Sequence, residues 1–246
     1  MDDLPLYVLG RILSSYEDVN GLWTLSAVCK TWRDAVVDAR ALLEKDRIQR
    51  SSDVHVNRWL TSCRCGSMVS VVRLHALNLS GCTDKAMDFA AADGHLAVIQ
   101  WLHTNRTEGC TKAAMCWAAC YGHLAVIQWL HENRTEGCTM AAMNLAACYG
   151  HLAVVQWLHE NRNEGCTTEA MDLAACNGHL SVIVWLHENR DEGCTTEAMD
   201  FAAESGHLAV LRWLHAHRRE GFTTNAATFA ACHGHLEIVQ WLNTML

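Results

Sequence analysis

Cysteine and histidine are the residues of this chain whose number and spacing are suited to chemistry. There are thirteen of the first and fifteen of the second in 246 residues. Together they raise three options: thiolate and imidazole metal ligands, disulfides, or a thiol activated by a neighbouring base. Their spacing narrows the choice. Cys82, Cys110, Cys138, Cys166 and Cys194 recur every 28 residues, with Phe222 at the sixth place. Cys120, Cys148, Cys176 and Cys232 form a second series, with Ala92 and Glu204 at its remaining places. Equal places in stacked helices lie roughly 8–10 Å apart. A disulfide needs Cα atoms within about 7 Å, and zinc needs sulfurs about 2.3 Å from one metal. Phe, Ala and Glu replace cysteine within these series, which fits a packing site, where free cysteine acts as a small hydrophobe. We therefore expect reduced structural thiols, and Cys63-Arg64-Cys65 is too tight and isolated to make a metal motif alone.

Histidine repeats in the same way. His95, His123, His151, His179, His207 and His235 each follow a glycine. His103, His131, His159, His187 and His215 form a second register. The same separation of about 10 Å forbids a shared metal, so both series are expected to be structural. No Ser/His/Asp set, carboxylate pair or Gly-rich phosphate loop stands apart from the repeat. No catalytic residue, metal site or cofactor is expected.

The elements that position these residues follow from the period. Gly-His-Leu and a later Trp-Leu recur six times, from Gly94 and Trp101 to Gly234 and Trp241, at steps of 28 residues. A fixed period in this range signals stacked supersecondary units. Thr111 is a good helix N-cap, and Thr83, Thr139, Thr167, Thr195 and Thr223 repeat it. Asp84, Glu169 and Glu197 place carboxylates in the first turn, where the helix dipole favours them. Ala114, Met115, Ala118 and Ala119 make a slim first helix that Gly122 terminates. Leu124, Val126, Ile127, Trp129 and Leu130 make a second helix that is apolar nearly all round and must be sandwiched. Arg134 closes its last turn, and only about Asn133 to Gly137 connects to the next unit. Sliding the pattern back by one period places Gly66 under Gly94 and His75 under His103. Residues 55–82 then read as a degenerate capping repeat, preceding six full units over residues 83–246.

Residues 1–42 carry two amphipathic patterns. Leu6, Leu9, Ile12 and Leu13 follow Pro5, the only proline, and Leu22, Leu25, Val28, Cys29, Trp32, Val36 and Val37 make the second. So short a segment has little core of its own and must lean on the repeats, on a partner, or on both. Residues 43–54 mix charges and either extend a helix or link the two parts. The formal charge of −8 argues against a nucleic-acid partner. No long apolar run suggests a membrane span, and Met1-Asp2-Asp3-Leu4-Pro5 lacks the basic start of a signal peptide.

Leu4-Pro5, Leu9, Ile12-Leu13, Leu25 and then Val28-Cys29-Lys30-Thr31-Trp32-Arg33 closely resemble an F-box, in order, spacing and residue type. The Ala-Ala-x-x-Gly-His-Leu-x-Val-x-x-x-Leu pattern resembles the ankyrin repeat. It departs from it in lacking the Thr-Pro-Leu-His tetrapeptide and in running to 28 residues rather than the usual 33. The resemblance implies an all-α chain, a three-helix F-box followed by a shortened ankyrin-like solenoid with short turns in place of β-hairpin fingers. It also implies that Leu4, Pro5, Leu9, Ile12, Leu13, Val28 and Trp32 dock a Skp-family adaptor, and through it a cullin. A plain capping bundle would bury the same apolar face. The combination is similar to proteins of large DNA viruses and of some protists.

Comparing units within the chain separates scaffold from surface. The place before each glycine varies: Asp93, Tyr121, Tyr149, Asn177, Ser205, His233. The mid-helix place varies too, through Asp88, Cys116, Asn144, Asp172, Asp200 and Thr228, as does the connector. In ankyrin proteins the residues before Gly-His line the recognition face, so the first series is the expected target-binding set, with Tyr121 and Tyr149 as anchors. The last unit ends in apolar Trp241-Leu242 and Met245-Leu246, so self-association there is expected. The expected protein is a non-enzymatic substrate-recognition subunit of an SCF-type ubiquitin ligase, cytoplasmic or nuclear, or in the host cytoplasm if viral. The alternatives are a plain ankyrin scaffold without a ligase and a Cys/His metal-binding regulator.

Overall fold

In the computed structural model, the described residues are 54–245. Residues 1–53, which include the F-box segment and nearly all of the linker, lie outside them, as does Leu246. Fourteen α-helices and no strands occur among the described residues. They come as pairs: α1 Val54–Arg64 with α2 Met68–Ala76, α3 Asp84–Ala92 with α4 Leu96–Asn105, and α5 Lys112–Cys120 with α6 Leu124–Asn133. Next come α7 Ala141–Cys148 and α8 Leu152–Asn161, α9 Glu169–Cys176 and α10 Leu180–Asn189, and α11 Glu197–Glu204 and α12 Leu208–His217. The last pair is α13 Thr224–Cys232 and α14 Leu236–Asn243.

Packing divides the described residues into two units, residues 54–146 with 153–165 and residues 147–152 with 166–245. In the first, α1 packs on α3 and α3 on α5, each beside its own second helix. In the second, α9 packs on α11 and α11 on α13. First helices approach closely because their facing places are small. Ala86, Ala90, Ala114, Ala118, Ala198 and Ala202 are all essentially inaccessible. The second helices bury Val126, Ile127 and Leu130, or their equivalents, against that layer.

The turn between paired helices explains the Gly-His signature. At the end of α3 the amide of His95 donates to Ala90 O at 2.8 Å and that of Gly94 to Ala91 O at 3.2 Å, a Schellman closure. Gly94 has φ +77°, and a Cβ there would sit 2.7 Å from the ring of His123 in the following pair. The glycine is thus required twice, by its left-handed backbone and by the ring against it. The His95 ring lies in the same way against Gly66, and its Nε2 donates to Arg64 O at 2.8 Å. That bond satisfies a carbonyl left without a partner at the end of α1.

A second contact between pairs joins first helices. The carboxylate of Asp88 accepts from Thr111 N at 2.8 Å and from Thr111 Oγ1 at 2.7 Å, while Thr111 Oγ1 itself accepts from Ala113 N. Asp172 with Thr195 and Asp200 with Thr223 repeat the arrangement. One threonine therefore caps its own helix and staples it to the helix before. Thr83 departs from the expected capping: its hydroxyl is buried with no partner. The residue one staple-length earlier is Leu60, which has no acceptor to offer.

This contrast predicts a difference between two equal substitutions. Thr111→Val removes a donor from buried Asp88 and should cost about 1–3 kcal/mol in denaturant unfolding. Thr83→Val removes a buried hydroxyl that bonds nothing and should match wild type or exceed it, by up to about 1–3 kcal/mol. Equal losses would mean that the staple contributes nothing.

Candidate protein-recognition face

The residue before each glycine is the C-cap of a first helix for Asp93, Tyr121, Asn177, Ser205 and His233, and Tyr149 holds the corresponding place before Gly150. Asp93 and Tyr121 belong to the first unit, and the other four to the second. Their surroundings differ. Asp93 is exposed and pairs with Arg64 at 3.4 Å. Tyr121 is 46 % exposed, with its ring stacked beside Trp117 at 6.4 Å between centroids. Tyr149, Asn177 and Ser205 are half-buried. Asn177 is tied down, donating to Cys148 O at 2.7 Å and Leu173 O at 3.1 Å. His233 is exposed, its Nδ1 held by Phe229 O at 3.0 Å and its ring stacked on that of His235.

One turn earlier, on the same helical face, stand Phe89, Trp117, Phe201 and Phe229, all half-buried. The guanidinium of Arg64 lies over the Phe89 ring at 5.5 Å. Sequence comparison of the C-cap place alone misses these residues, two in each unit, while their own place in α7 and α9 holds the buried Leu145 and Leu173. Four-residue helical spacing back from the C-cap is the signal that finds them. Aromatic area beside variable polar caps is the surface chemistry of a protein-binding face.

The mid-helix place is different, and the structure corrects its reading as a variable surface position. Asp88, Cys116, Asn144, Asp172 and Asp200 are buried. Asp88, Asp172 and Asp200 bond the next pair's threonine, and Cys116 Sγ makes a weaker 3.5 Å contact with Thr139. Only Thr228 of this series is exposed.

The two histidine registers are structural. The His103 ring meets Trp129 edge-on at 5.2 Å, and its Nδ1 accepts from Arg134 Nη1 at 3.3 Å. Arg134 also forks onto Glu136, through Nε at 3.2 Å and through Nη2, and lies where a Cβ on Gly109 would be. Burial opposes the charge on Glu136, but the Arg134 bonds prevail and hold its carboxyl below the ordinary range. For Glu164, bonded in the same way by Arg162, the value falls to about 2. Reading Arg134 simply as the close of the last turn missed both the fork and the histidine.

The twelve described cysteines are free thiols, with only Cys65 and Cys232 exposed. Burial, then the nearby Glu136 and Asp88 charges, pushes Cys110 up to about 12, and burial does the same to Cys63. Such thiols stay protonated and are poor nucleophiles. Among the described residues no three His, Cys, Asp or Glu side chains gather to hold a metal ion, and no helix is long and apolar enough to cross a membrane.

Family models match this architecture in three places. Ankyrin repeats in three copies match residues 87–172, ankyrin repeats in many copies match residues 199–242, and the F-box domain matches residues 1–41. The chain carries an F-box domain and ankyrin repeats. A search of curated proteins returns no match. F-box and ankyrin domains are typically non-catalytic interaction modules. The residues expected to dock the adaptor, Leu4, Pro5, Leu9, Ile12, Leu13, Val28 and Trp32, all lie outside the described residues.

Asp172 supplies a prediction with a definite sign. Burial, partly offset by the Thr195 hydrogen bonds, raises its carboxyl from 3.8 to about 6. A raised native value means that the native state gains stability below about pH 4 and loses it as pH rises through about 6. Asp172→Asn, copying Asn144, should match or exceed wild-type stability at pH 7, and wild type should gain on it by about 1–3 kcal/mol towards pH 4. Thermal melts of the two proteins across that range check this.

Proposed function

We propose that this protein is the substrate-recognition subunit of an SCF-type ubiquitin ligase. Leu4, Pro5, Leu9, Ile12, Leu13, Val28 and Trp32 dock a Skp-family adaptor, which joins the chain to a cullin. The ankyrin repeats hold a target protein, with Asp93, Tyr121, Tyr149, Asn177, Ser205 and His233 contributing contacts, and half-buried aromatics such as Trp117 adding apolar area. The reading rests on one observation above all: Val28-Cys29-Lys30-Thr31-Trp32-Arg33 falls inside the F-box match and is joined in one chain to a module built for protein contact. The chain does no chemistry itself. It contributes proximity, raising the target's effective concentration beside the enzyme that transfers ubiquitin. Ankyrin repeats without a working F-box would serve as a plain scaffold.

Titration of the full chain with a purified Skp-family adaptor separates these readings. Saturable binding is expected, and Pro5→Ala/Trp32→Ala should weaken it by at least about tenfold, as for truncated hot-spot residues. The far-ultraviolet melt of the repeats should not change. Absence of binding by the folded wild-type chain would leave only the scaffold.

A further inference from the structure

The second helix of the fifth full repeat, α12, carries a charge pattern that its equivalents lack. Four outward places show it. The place of Gln128 in α6 and Val184 in α10 is Arg212 in α12. One turn on, Glu132 and Glu188 give way to Ala216; next to these, Asn133 and Asn189 give way to His217. The connector place of Thr135 and Asp191 becomes Arg219. Arg212, Ala216 and His217 of α12 and Arg219 of the connector are all exposed. Three of the four changes, at Arg212, Ala216 and Arg219, are towards positive charge, in a chain whose formal charge is −8.

The changes are also coordinated. A glutamate at place 216 would lie one turn from Arg212 and could neutralise it within the helix. Alanine stands there instead. Neither Arg212 nor Arg219 enters an ion pair among the described residues, whereas Arg218 between them is bound to Glu220 and His187. His217 packs flat on Trp213 at 4.4 Å and is held by a bond from Nδ1 to Trp213 O. The stacked Trp213 and His217 rings thus share α12 with Arg212 and precede Arg219, and neither of these arginines is in an ion pair among the described residues.

We propose that this face docks an acidic segment of a partner protein. Arg212 lies in α12, and Arg219 lies two residues past the end of that helix, beyond the extended Arg218. A segment with several carboxylates can meet both guanidinium groups, each of which donates a forked pair of hydrogen bonds to a carboxylate. A nucleic acid fits less well, because the chain's overall negative charge opposes a dense phosphate backbone. The surface lies on residues distinct from the proposed target-binding set and does not depend on adaptor docking.

Fluorescence anisotropy of the full chain with a labelled peptide of Glu-Ser-Gly repeats tests it. Binding should be saturable at low salt, weaken with added salt, and vanish for the matching Gln-Ser-Gly peptide. Arg212→Glu/Arg219→Glu should lose at least about tenfold in affinity. Arg58→Glu/Arg73→Glu, which alters two exposed arginines of the first helix pair, should stay within about twofold. Thermal melts establish that both variants are folded. Lack of binding by wild type, an equal loss in the two variants, or tighter binding of an oligonucleotide of equal charge would each overturn the proposal.

Discussion

The contact on which the described repeats depend is a histidine ring laid on a glycine of the preceding pair. The glycine must adopt a left-handed backbone to end the first helix, and it must lack a Cβ because the ring occupies that place. The histidine in turn supplies the amide that completes the same closure in its own pair. One residue pair therefore stops a helix, starts the next and fixes the spacing to its neighbour. Where this contact is seen, the period follows from it, since any insertion between glycine and histidine would lift the ring off its seat.

Polar groups between pairs then set the register more finely. Asp88, Asp172 and Asp200 each hold the cap of the following first helix, while arginines such as Arg134 reach back to a histidine and forward to a glutamate. The first helix pair shows what happens when the partner is missing. Leu60 stands where an acceptor would be, and Thr83 is left unbonded. His75 Nδ1 is likewise without a partner, because Arg106, the equivalent of Arg134, lies over the Trp59 ring instead. Both orphans lie at the junction of α1 and α2 with α3 and α4, and both follow from residues of that first pair that depart from the repeat.

Much of this was legible from spacing alone. Period, glycine closure, alanine face and apolar second helix are local rules that repeat often enough to read, and the short connectors, without strands among the described residues, follow from the shortened unit. The mid-helix place was misread for a physical reason. Variation there reflects the interchange of Asp, Asn and Cys opposite a threonine, which a single chain cannot distinguish from free variation at a surface. The Arg–Glu–His contacts escaped because they join residues about thirty positions apart, where periodicity places backbones but does not aim side chains. At the C-cap places the spacing did not tell one residue's state from another's, since Asn177 and Asp93 are already bonded while Tyr121 is 46 % exposed with its ring beside Trp117.

The functional reading joins two interaction modules: one end couples to a ligase and the repeats choose what is brought to it. The most direct test is assembly. Light scattering on a size-exclusion column, with the full chain, a Skp-family adaptor and the adaptor-binding domain of a cullin, should give one complex containing a single copy of each. Elution of the folded chain by itself, beside an intact adaptor–cullin complex, would contradict the reading.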